Sequence, residues 1–143
     1  MLKKLNSKVD LYYNIKSIYE TKWSISSFKK FLSDQNSIFL TCKSKPLGYL
    51  MGRVIDDNLE IISLIIKKKF RQKGLGSELI NQLIKIALQK KINKIFLEVS
   101  VENYKAIALY KKYKFTKIGS RKKYYSYANK KTDADVMGLQ LIY

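Results

Sequence analysis

Apolar positions recur along this 143-residue chain at two spacings, one typical of helices and one typical of strands. Helical spacing predicts a helix over residues 7–19, a second beginning after Ser24, a third over residues 75–90 and a fourth beginning after Asn103. Strand-like runs cover residues 38–42, 47–55, 59–66, 95–99, 115–127 and 135–141. The order ααβββαβαββ predicts an α/β (α+β) fold, with a mixed central sheet flanked by helices on both sides.

The distribution of proline and glycine along the chain gives no indication of a second domain. One proline and six glycines are spread along it, without a flexible linker or an internal repeat. A chain of this length buries a single core of ordinary size. We therefore expect one domain over residues 1–143.

The amino-acid composition excludes several kinds of catalytic mechanism. The chain has no histidine, so it lacks histidine bases, serine–histidine or cysteine–histidine nucleophile pairs, and histidine metal ligands. Its one cysteine, Cys42, has no partner for an internal disulfide and lies in an apolar, strand-like run. We interpret Cys42 as a buried structural thiol rather than a nucleophile, and we expect no metal cofactor.

The charge is strongly positive, with a formal net value of +18. Lysines supply 26 of the 29 basic residues, and the three arginines are Arg53, Arg71 and Arg121. Bidentate phosphate recognition favours arginine, so we expect no specific nucleic-acid binding and interpret the lysine excess as the composition of an AT-rich genome. The alternative is real attraction towards polyanions such as RNA, ribosomes or a phosphorylated cofactor.

No targeting or membrane segment is visible. Polar residues interrupt the N-terminal stretch before it reaches the length of a signal-peptide core. The longest near-apolar stretch, residues 59–66, is far shorter than a membrane span. We expect a soluble, cytoplasmic protein without a membrane partner.

A basic segment with two glycines stands between the third strand and the third helix. Glycines at a helix start let backbone N–H groups approach an anion, and the helix N-terminus adds partial positive charge. The alternative is a helix-opening turn in which the glycines serve geometry alone. A P-loop is excluded because Ser77-Glu78 follows Gly76, and a dinucleotide fingerprint is disfavoured because Leu79 replaces its third glycine. The candidate phosphate-binding residues are Arg71, Gln72, Lys73, Gly74, Leu75, Gly76 and Ser77.

The pattern Arg-Gln-Lys-Gly-Leu-Gly over residues 71–76 resembles the acetyl-coenzyme A pyrophosphate loop of the GNAT superfamily of N-acetyltransferases. The resemblance covers about residues 59–138 and is specific to the RimI-like branch. It implies the GNAT fold, acetyl-coenzyme A as cosubstrate, and acetyl transfer to the N-terminal alanine of a ribosomal protein. The further residues that carry it, in order, are Leu97-Glu98-Val99, Asn103, Ala106-Ile107-Ala108-Leu109-Tyr110, Phe115, Gly119, Arg121, Tyr124-Tyr125 and Asp133-Ala134.

Two residues are candidates for proton transfer. Forming an amide from an ammonium and a thioester needs a base and a donor for the leaving thiolate. Without histidine, the base must be a carboxylate or a water chain ending in one, and strand alternation places Glu98 opposite Leu97 and Val99. The resemblance implies that Glu98 is the base and Tyr110 the acid. Without the resemblance, the residues favour a surface carboxylate paired with a lysine for Glu98 and a core aromatic residue for Tyr110.

The resemblance also implies a set of cosubstrate contacts. The main chain of Leu64, Ile65 and Ile66 would hold pantetheine where neighbouring strands separate, and Asn103 would bond the cosubstrate. Asn103 is equally compatible with a helix N-cap alone. An acidic rim would receive a basic acceptor tail, and its residues are Glu98, Glu102, Asp133 and Asp135.

Two alternatives to ribosomal-protein acetylation stay open. An enzyme of the same fold could acetylate a small-molecule amine or a lysine side chain. A noncatalytic, basic RNA- or ribosome-binding protein is the alternative from another class, but it gives no reason to retain both Glu98 and Tyr110. The residues leave the oligomeric state undetermined.

Overall fold

The computed structural model describes residues 24–42, 47–127 and 130–142, with the backbone alone for residues 123–127 and 130. The predicted helix over residues 7–19 lies outside these ranges. The elements are α1 (Ile25–Ser33), β1 (Ser37–Thr41), β2 (Gly48–Ile55), β3 (Asn58–Ile66), a 3₁₀ helix (Lys68–Phe70), α2 (Leu75–Gln89), β4 (Lys94–Ser100), α3 (Tyr104–Lys112), β5 (Thr116–Tyr127) and β6 (Lys130–Gln140).

The last strand is longer than predicted. Sequence periodicity places its start at residue 135, whereas β6 begins at Lys130 and pairs there with Tyr127 of β5. The first residues of β6 are mostly polar, with Lys131 and Asp133 exposed, so they carry no apolar alternation. Pairing with β5 extends the strand beyond the part that periodicity detects.

The strands form one mixed sheet in the order β1-β2-β3-β4-β6-β5. Within the described residues β3 and β4 form its parallel pair, and the other neighbours are antiparallel. Helix α2 connects the two parallel strands, as a parallel pair requires. The predicted mixed sheet is confirmed.

Helices cover both faces of this sheet. On one face, Phe28 and Phe31 of α1 pack with Tyr49 and Met51 of β2. On the other face, the apolar sides of α2 and α3 pack with Leu50 and with the alternate residues of β3, β4 and β6. Because consecutive residues of β2 divide between the two cores, the alternation along this strand sets which helix covers which face. The predicted helices on both sides of the sheet are confirmed.

β3 and β4 separate before either strand ends. They pair from Asn58–Lys94 to Ile61–Leu97, and no further. The register between β2 and β3 shifts at this point, because Met51 pairs with Ser63 while the next residue pairs with Ile61, leaving Ile62 as an extra residue. An extra residue bends and twists its strand. The sheet therefore opens in its centre, between the second half of β3 and the end of β4.

Cys42 is buried, and its Sγ lies 3.9 Å from the carbonyl oxygen of Gly48. Burial raises the pKa of the Cys42 thiol, and the nearby charge of Glu78 raises it further. A thiol with a raised pKa is protonated at neutral pH and is a poor nucleophile. The prediction of a buried thiol is confirmed.

Candidate active site

The opening between β3 and β4 leads into a cavity of about 630 Å³. Four of the predicted site residues line it, and they come from three different elements: Leu64, Glu98, Asn103 and Tyr110. A second cavity, of about 310 Å³, lies at the β2–β3 turn and the α2–β4 connection. None of the predicted site residues is among its described lining residues. The larger cavity is therefore the candidate active site.

Glu98 lies near the end of β4, where this strand has left β3. Leu97 and Val99 are buried in the core beneath α2 and α3, so Glu98 faces the side of the sheet that α1 covers. Its side chain is 22% exposed. Both carboxylate oxygens accept hydrogen bonds from Nη1 of Arg121, at 3.1 and 3.2 Å. The predicted orientation of Glu98 is confirmed, and an arginine from another strand pairs with its carboxylate.

Tyr110 reaches the same cavity from the opposite face of the sheet. It is buried in α3, and its ring centroid lies 5.6 Å from that of Phe115. It therefore has the packing of a core aromatic residue and also forms part of the cavity wall. A ligand that passes through the opening in the sheet would have Glu98 on one side and Tyr110 on the other.

The basic loop joins the end of β3 to the start of α2. The Nε of Arg71 donates to the carbonyl oxygen of Ile66 at 2.9 Å, which ties the loop to its strand. Gln72 has a φ of 60°, and Gly74, the N-cap of α2, has a φ of 84°. Apart from the neighbouring residues in the chain, no heavy atom lies within 4 Å of the position that a Cβ of Gly74 would occupy. An anion can therefore approach this turn without meeting a side chain.

The first turn of α2 presents backbone donors beside that open space. The first N–H groups of an α-helix have no acceptor within the helix, and Gly74 provides no side-chain cap. The amides of Leu75, Gly76 and Ser77 thus point towards the place where a phosphate would lie, and Lys73 adds positive charge. This turn therefore has the donors and the positive charge that an anion requires.

Glycine is needed at position 76 for a different structural reason than at position 74. A Cβ at this position would lie 2.9 Å from Cδ2 of Leu109 in α3. The neighbouring Ser77 carbonyl accepts a hydrogen bond from the Tyr113 hydroxyl at 3.3 Å. Gly76 therefore allows α3 to pack closely on the first turn of α2. Helix packing explains the second glycine, whereas the left-handed backbone at the N-cap, with its φ of 84°, explains the first.

Asn103 is confirmed as a helix cap. Its Oδ1 accepts a hydrogen bond from the backbone N–H of Ala106 at 3.2 Å, at the start of α3. The same side chain lines the cavity. The capping bond uses the amide oxygen and leaves the amide nitrogen as the group that would meet a cosubstrate.

Other predicted contacts lie beyond the cavity wall. Ile65 and Ile66 are not among its described lining residues, and they continue β3 towards the basic loop. The Ile66 carbonyl already accepts the bond from Arg71. Of the predicted pantetheine contacts, Leu64 is thus the one that the structure places at the cavity itself.

Several cavity residues carry no recognisable signal in the sequence. The hydroxyls of Ser100 and Thr132 lie 3.1 Å apart, and both residues line the cavity with Ser63. The two hydroxyl residues are 32 positions apart, and the pairing of β4 with β6 brings them together. The family resemblance also implies that the segment with Tyr124, Tyr125 and Tyr127 borders the acceptor groove, and the side chains of these tyrosines lie outside the described residues.

The acidic rim is partly neutralised by β5. Nζ of Lys117 lies 3.2 Å from Oδ1 of Asp135, in addition to the pair of Arg121 with Glu98. Both cations belong to the edge strand β5. The rim is therefore less attractive to a basic peptide tail than its four carboxylates alone would be.

Comparison with known proteins identifies the class of enzyme. The model of the acetyltransferase (GNAT) family matches residues 8–115, so the chain belongs to this family of acetyl-transferring enzymes. The predicted family and the predicted GNAT fold are confirmed, and catalytic family membership favours an enzyme over the noncatalytic RNA-binding alternative.

Individual members of the family resemble this chain over most of its length. The [ribosomal protein bS18]-alanine N-acetyltransferase of Escherichia coli K12 is 28% identical over 119 residues, which are 80% of each chain. The crystal structure of the Escherichia coli ribosomal-protein-S18-alanine N-acetyltransferase has a TM-score of 0.81 at 24% identity, covering 94% of this chain and 89% of that one. A chimera of the Vibrio cholerae spermidine N-acetyltransferase SpeG and hSSAT has a TM-score of 0.79 at 21% identity, covering 94% and 92%. The predicted similarity to the RimI-like branch is confirmed.

Two features are absent from the described residues. None of the helices there combines the length and the apolar character that a membrane crossing requires. Within the same ranges, no three cysteine or carboxylate side chains converge as a metal site would need.

Proposed function

We propose that this enzyme transfers the acetyl group of acetyl-coenzyme A to the N-terminal α-amine of a ribosomal protein that begins with alanine. The observation that carries the proposal is the cavity through the sheet, with Glu98 and Tyr110 on its two sides. The bS18-alanine N-acetyltransferase that resembles it over 80% of the chain supports the choice of acceptor. A single domain over residues 1–143 and a cytoplasmic location stay predictions.

The cosubstrate site follows the opening in the sheet. Acetyl-coenzyme A supplies an acetyl group activated as a thioester. Leu64, Ile65 and Ile66 would hold its pantetheine arm through their backbone, because β3 has no β4 partner beyond Ile61. The first-turn amides of α2 would bind the pyrophosphate, with Gln72 and Lys73 beside them, and the Asn103 amide would contact the arm nearer the cavity.

Glu98 and Tyr110 have opposite tasks in the proposed reaction. The Glu98 carboxylate removes a proton from the acceptor ammonium, directly or through one water molecule. The freed nitrogen lone pair forms the new C–N bond, the C–S bond breaks, and the Tyr110 hydroxyl delivers a proton to the departing sulfur. The new amide nitrogen then releases its second proton through solvent, which restores the Tyr110 hydroxyl, and Glu98 returns its own proton to solvent. Their positions on opposite sides of the opening suit these tasks, because the nucleophile and the leaving group lie on different sides of the reacting carbon.

The ordinary basicity of amines favours an α-amine over a lysine. A peptide α-amine has a pKa of about 8, whereas a lysine amine has one of about 10.4. At pH 7 roughly one α-amine in ten is neutral, against about one lysine in 2,500, a difference of about 3 kcal/mol for removing the proton. A single carboxylate is a weak base, so a site built on Glu98 suits the amine that loses its proton more easily.

We expect tandem mass spectrometry to locate the transferred acetyl group on the α-nitrogen of an Ala-initiated peptide that also contains an internal lysine. A peptide of the same sequence with a blocked α-amine is the control, and it should remain almost unmodified. Acetylation mainly at the lysine, or equal modification of the blocked peptide, would assign the enzyme to the lysine or small-amine alternative.

The loop assignment predicts that Gly74→Asp weakens coenzyme A binding by at least tenfold more than Gly74→Asn does. Asp and Asn are nearly isosteric and both tolerate the left-handed backbone region, so the two variants share the strain and differ in charge. The added carboxylate would lie beside the proposed pyrophosphate position. Isothermal titration calorimetry measures both affinities, and equal affinities for the two variants would place the pyrophosphate elsewhere.

A further inference from the structure

Two hydroxyl side chains meet in the wall of the candidate active site and take no part in the proposed proton transfers. Ser100 ends β4, Thr132 lies near the start of β6, and their oxygens are 3.1 Å apart. Both residues line the cavity. Thr132 is 7% exposed, and the Ser100 oxygen also accepts the backbone N–H of Glu102 at 3.3 Å. The pair is therefore held by two strands and by the turn that follows β4.

The hydrogen bonds of this pair leave one donor for a ligand. Each hydroxyl has one O–H donor and two acceptor lone pairs. The bond between the two oxygens uses one of the two protons, whichever residue donates it. Among the described residues, no other group accepts a hydrogen bond from either hydroxyl. The second O–H group is therefore available to a molecule in the cavity.

The pair lies on the same side of the sheet as Glu98. Buried and half-buried residues alternate along β4, and Ser100 follows Glu98 by two positions, so both face away from α2 and α3. Ser100 pairs with Ala134 of β6, and Thr132 precedes Ala134 by two positions. Successive residues on one face of a strand are about 6.7 Å apart. The available donor therefore lies about one residue spacing from the proposed base, on the side of the opening that Glu98 faces.

A hydroxyl donor at this place distinguishes the amines that the enzyme could meet. In a peptide, the carbonyl oxygen of the first residue lies about 3 Å from the α-nitrogen, because only three bonds separate them. With the nitrogen at Glu98, this oxygen can accept the O–H of the pair. The atoms next to a lysine ε-nitrogen or a polyamine nitrogen are methylene carbons, which accept no hydrogen bond. Such an amine would leave the hydroxyl covered and without an acceptor, which costs binding free energy.

We propose that Ser100 and Thr132 bind the first peptide carbonyl of the acceptor and so determine the preference for an α-amine over a side-chain amine. The inference rests on the proposed function, since it assumes that Glu98 receives the acceptor nitrogen. A site built to hydrogen-bond one group of its substrate discriminates against an analogue that lacks this group. Recognition of a carbonyl does not depend on the net charge of the acceptor, so it is compatible with a basic ribosomal-protein tail.

The test compares an Ala-initiated peptide with its alkene isostere, in which a trans C=C bond replaces the first peptide group and removes the carbonyl. For both acceptors, kcat/KM is measured with saturating acetyl-coenzyme A and corrected for the neutral fraction of each amine. The wild-type enzyme should prefer the peptide at least tenfold. The double variant Ser100→Ala/Thr132→Val removes both hydroxyls. It should lower kcat/KM for the peptide about tenfold and keep the value for the isostere within about twofold of wild type.

Further variants separate recognition from packing. Thr132→Ser keeps both hydroxyls and should retain the wild-type preference within about threefold. Thr41→Val removes a hydroxyl from β1 at similar burial, 5% exposed, and Thr41 is not among the described lining residues of either cavity, so both values should be unchanged. Thermal denaturation and coenzyme A titration check that each variant is folded. If the double variant does not fold, Thr132→Val alone, which keeps the shape of the side chain, should reduce the preference at least threefold.

The outcomes distinguish this inference from the proposed function. A wild-type enzyme with equal kcat/KM for the two acceptors overturns the inference, whereas acetylation of the peptide at its α-nitrogen leaves the proposed function intact. A double variant that affects both acceptors equally, or neither, also overturns the inference, because the hydroxyls would then only join β4 to β6. A wild-type enzyme that acetylates internal lysines or spermidine in preference to the α-amine contradicts the proposed function, and with it the inference.

Discussion

Replacing Glu98 with glutamine is expected to lower kcat by roughly 10²–10⁴, equivalent to about 3–5 kcal/mol of transition-state stabilisation. Glutamine keeps the size of the side chain and an oxygen that can accept a bond from Arg121. It cannot take the proton of the ammonium. Coenzyme A affinity should change little, because Glu98 is not among the residues proposed to hold the pyrophosphate.

Glu60 offers a matched control for this experiment. It lies on β3, pairs with Phe96 of β4, and is half-buried outside the cavity lining. Glu60→Gln removes one carboxylate from the centre of the same sheet and should keep turnover near wild type. If Glu98→Gln retained wild-type kcat across the pH range while Glu60→Gln did as well, the base would be another group, and the assignment of Glu98 would be wrong.

Removing the hydroxyl of Tyr110 is expected to have the next largest effect. Tyr110→Phe should lower kcat by roughly 10²–10⁴ through loss of the proton donor to the leaving thiolate. A phenol has an ordinary pKa near 10 and a thiol one near 8.5, so the donor is close enough in acidity to serve with modest tuning. The ring remains, so packing against Phe115 and the fold itself should be preserved.

Tyr113 distinguishes proton donation from simple loss of a hydroxyl. It lies three residues further along, directly after α3, and its hydroxyl donates to the Ser77 carbonyl at 3.3 Å. Tyr113→Phe should therefore change thermal stability slightly and leave kcat close to wild type. Steady-state kinetics with acetyl-coenzyme A and an Ala-initiated peptide measures both variants. Equal losses of kcat in the two would indicate that Tyr110 supports packing rather than proton transfer.

Most of the fold was predictable because its elements carry strong local patterns. Helix α2 has a continuous apolar stripe, and α1 and α3 begin at side-chain caps, Ser24 and Asn103. The start of β6 was predicted too late because its pairing partner on β5 determines it, and its polar residues show no alternation. Sheet order and the bulge at Ile62 depend on pairings between strands, which periodicity along one strand does not encode.

The candidate site was likewise predictable only where its residues carry a signal in the sequence. Glu98, Tyr110 and the loop were predicted from their order in the sequence and from the family resemblance. The pairing of Arg121 with Glu98 and the Ser100–Thr132 bond were not, because each joins residues more than 20 positions apart through the order β4-β6-β5. The sequence also does not show that Gly74 and Gly76 have different structural roles, because the role of Gly76 depends on the position of Leu109 in α3.

The most direct test of the central claim is a crystal structure with a bisubstrate conjugate, in which coenzyme A is joined through an acetyl bridge to the α-nitrogen of an Ala-initiated peptide. The account predicts pantetheine in the opening between β3 and β4 and pyrophosphate at the first turn of α2. It also predicts the alanine nitrogen within one water molecule of Glu98, and the sulfur within hydrogen-bonding distance of the Tyr110 hydroxyl. A conjugate bound outside the opening, or one whose alanine nitrogen faces away from Glu98, would contradict it.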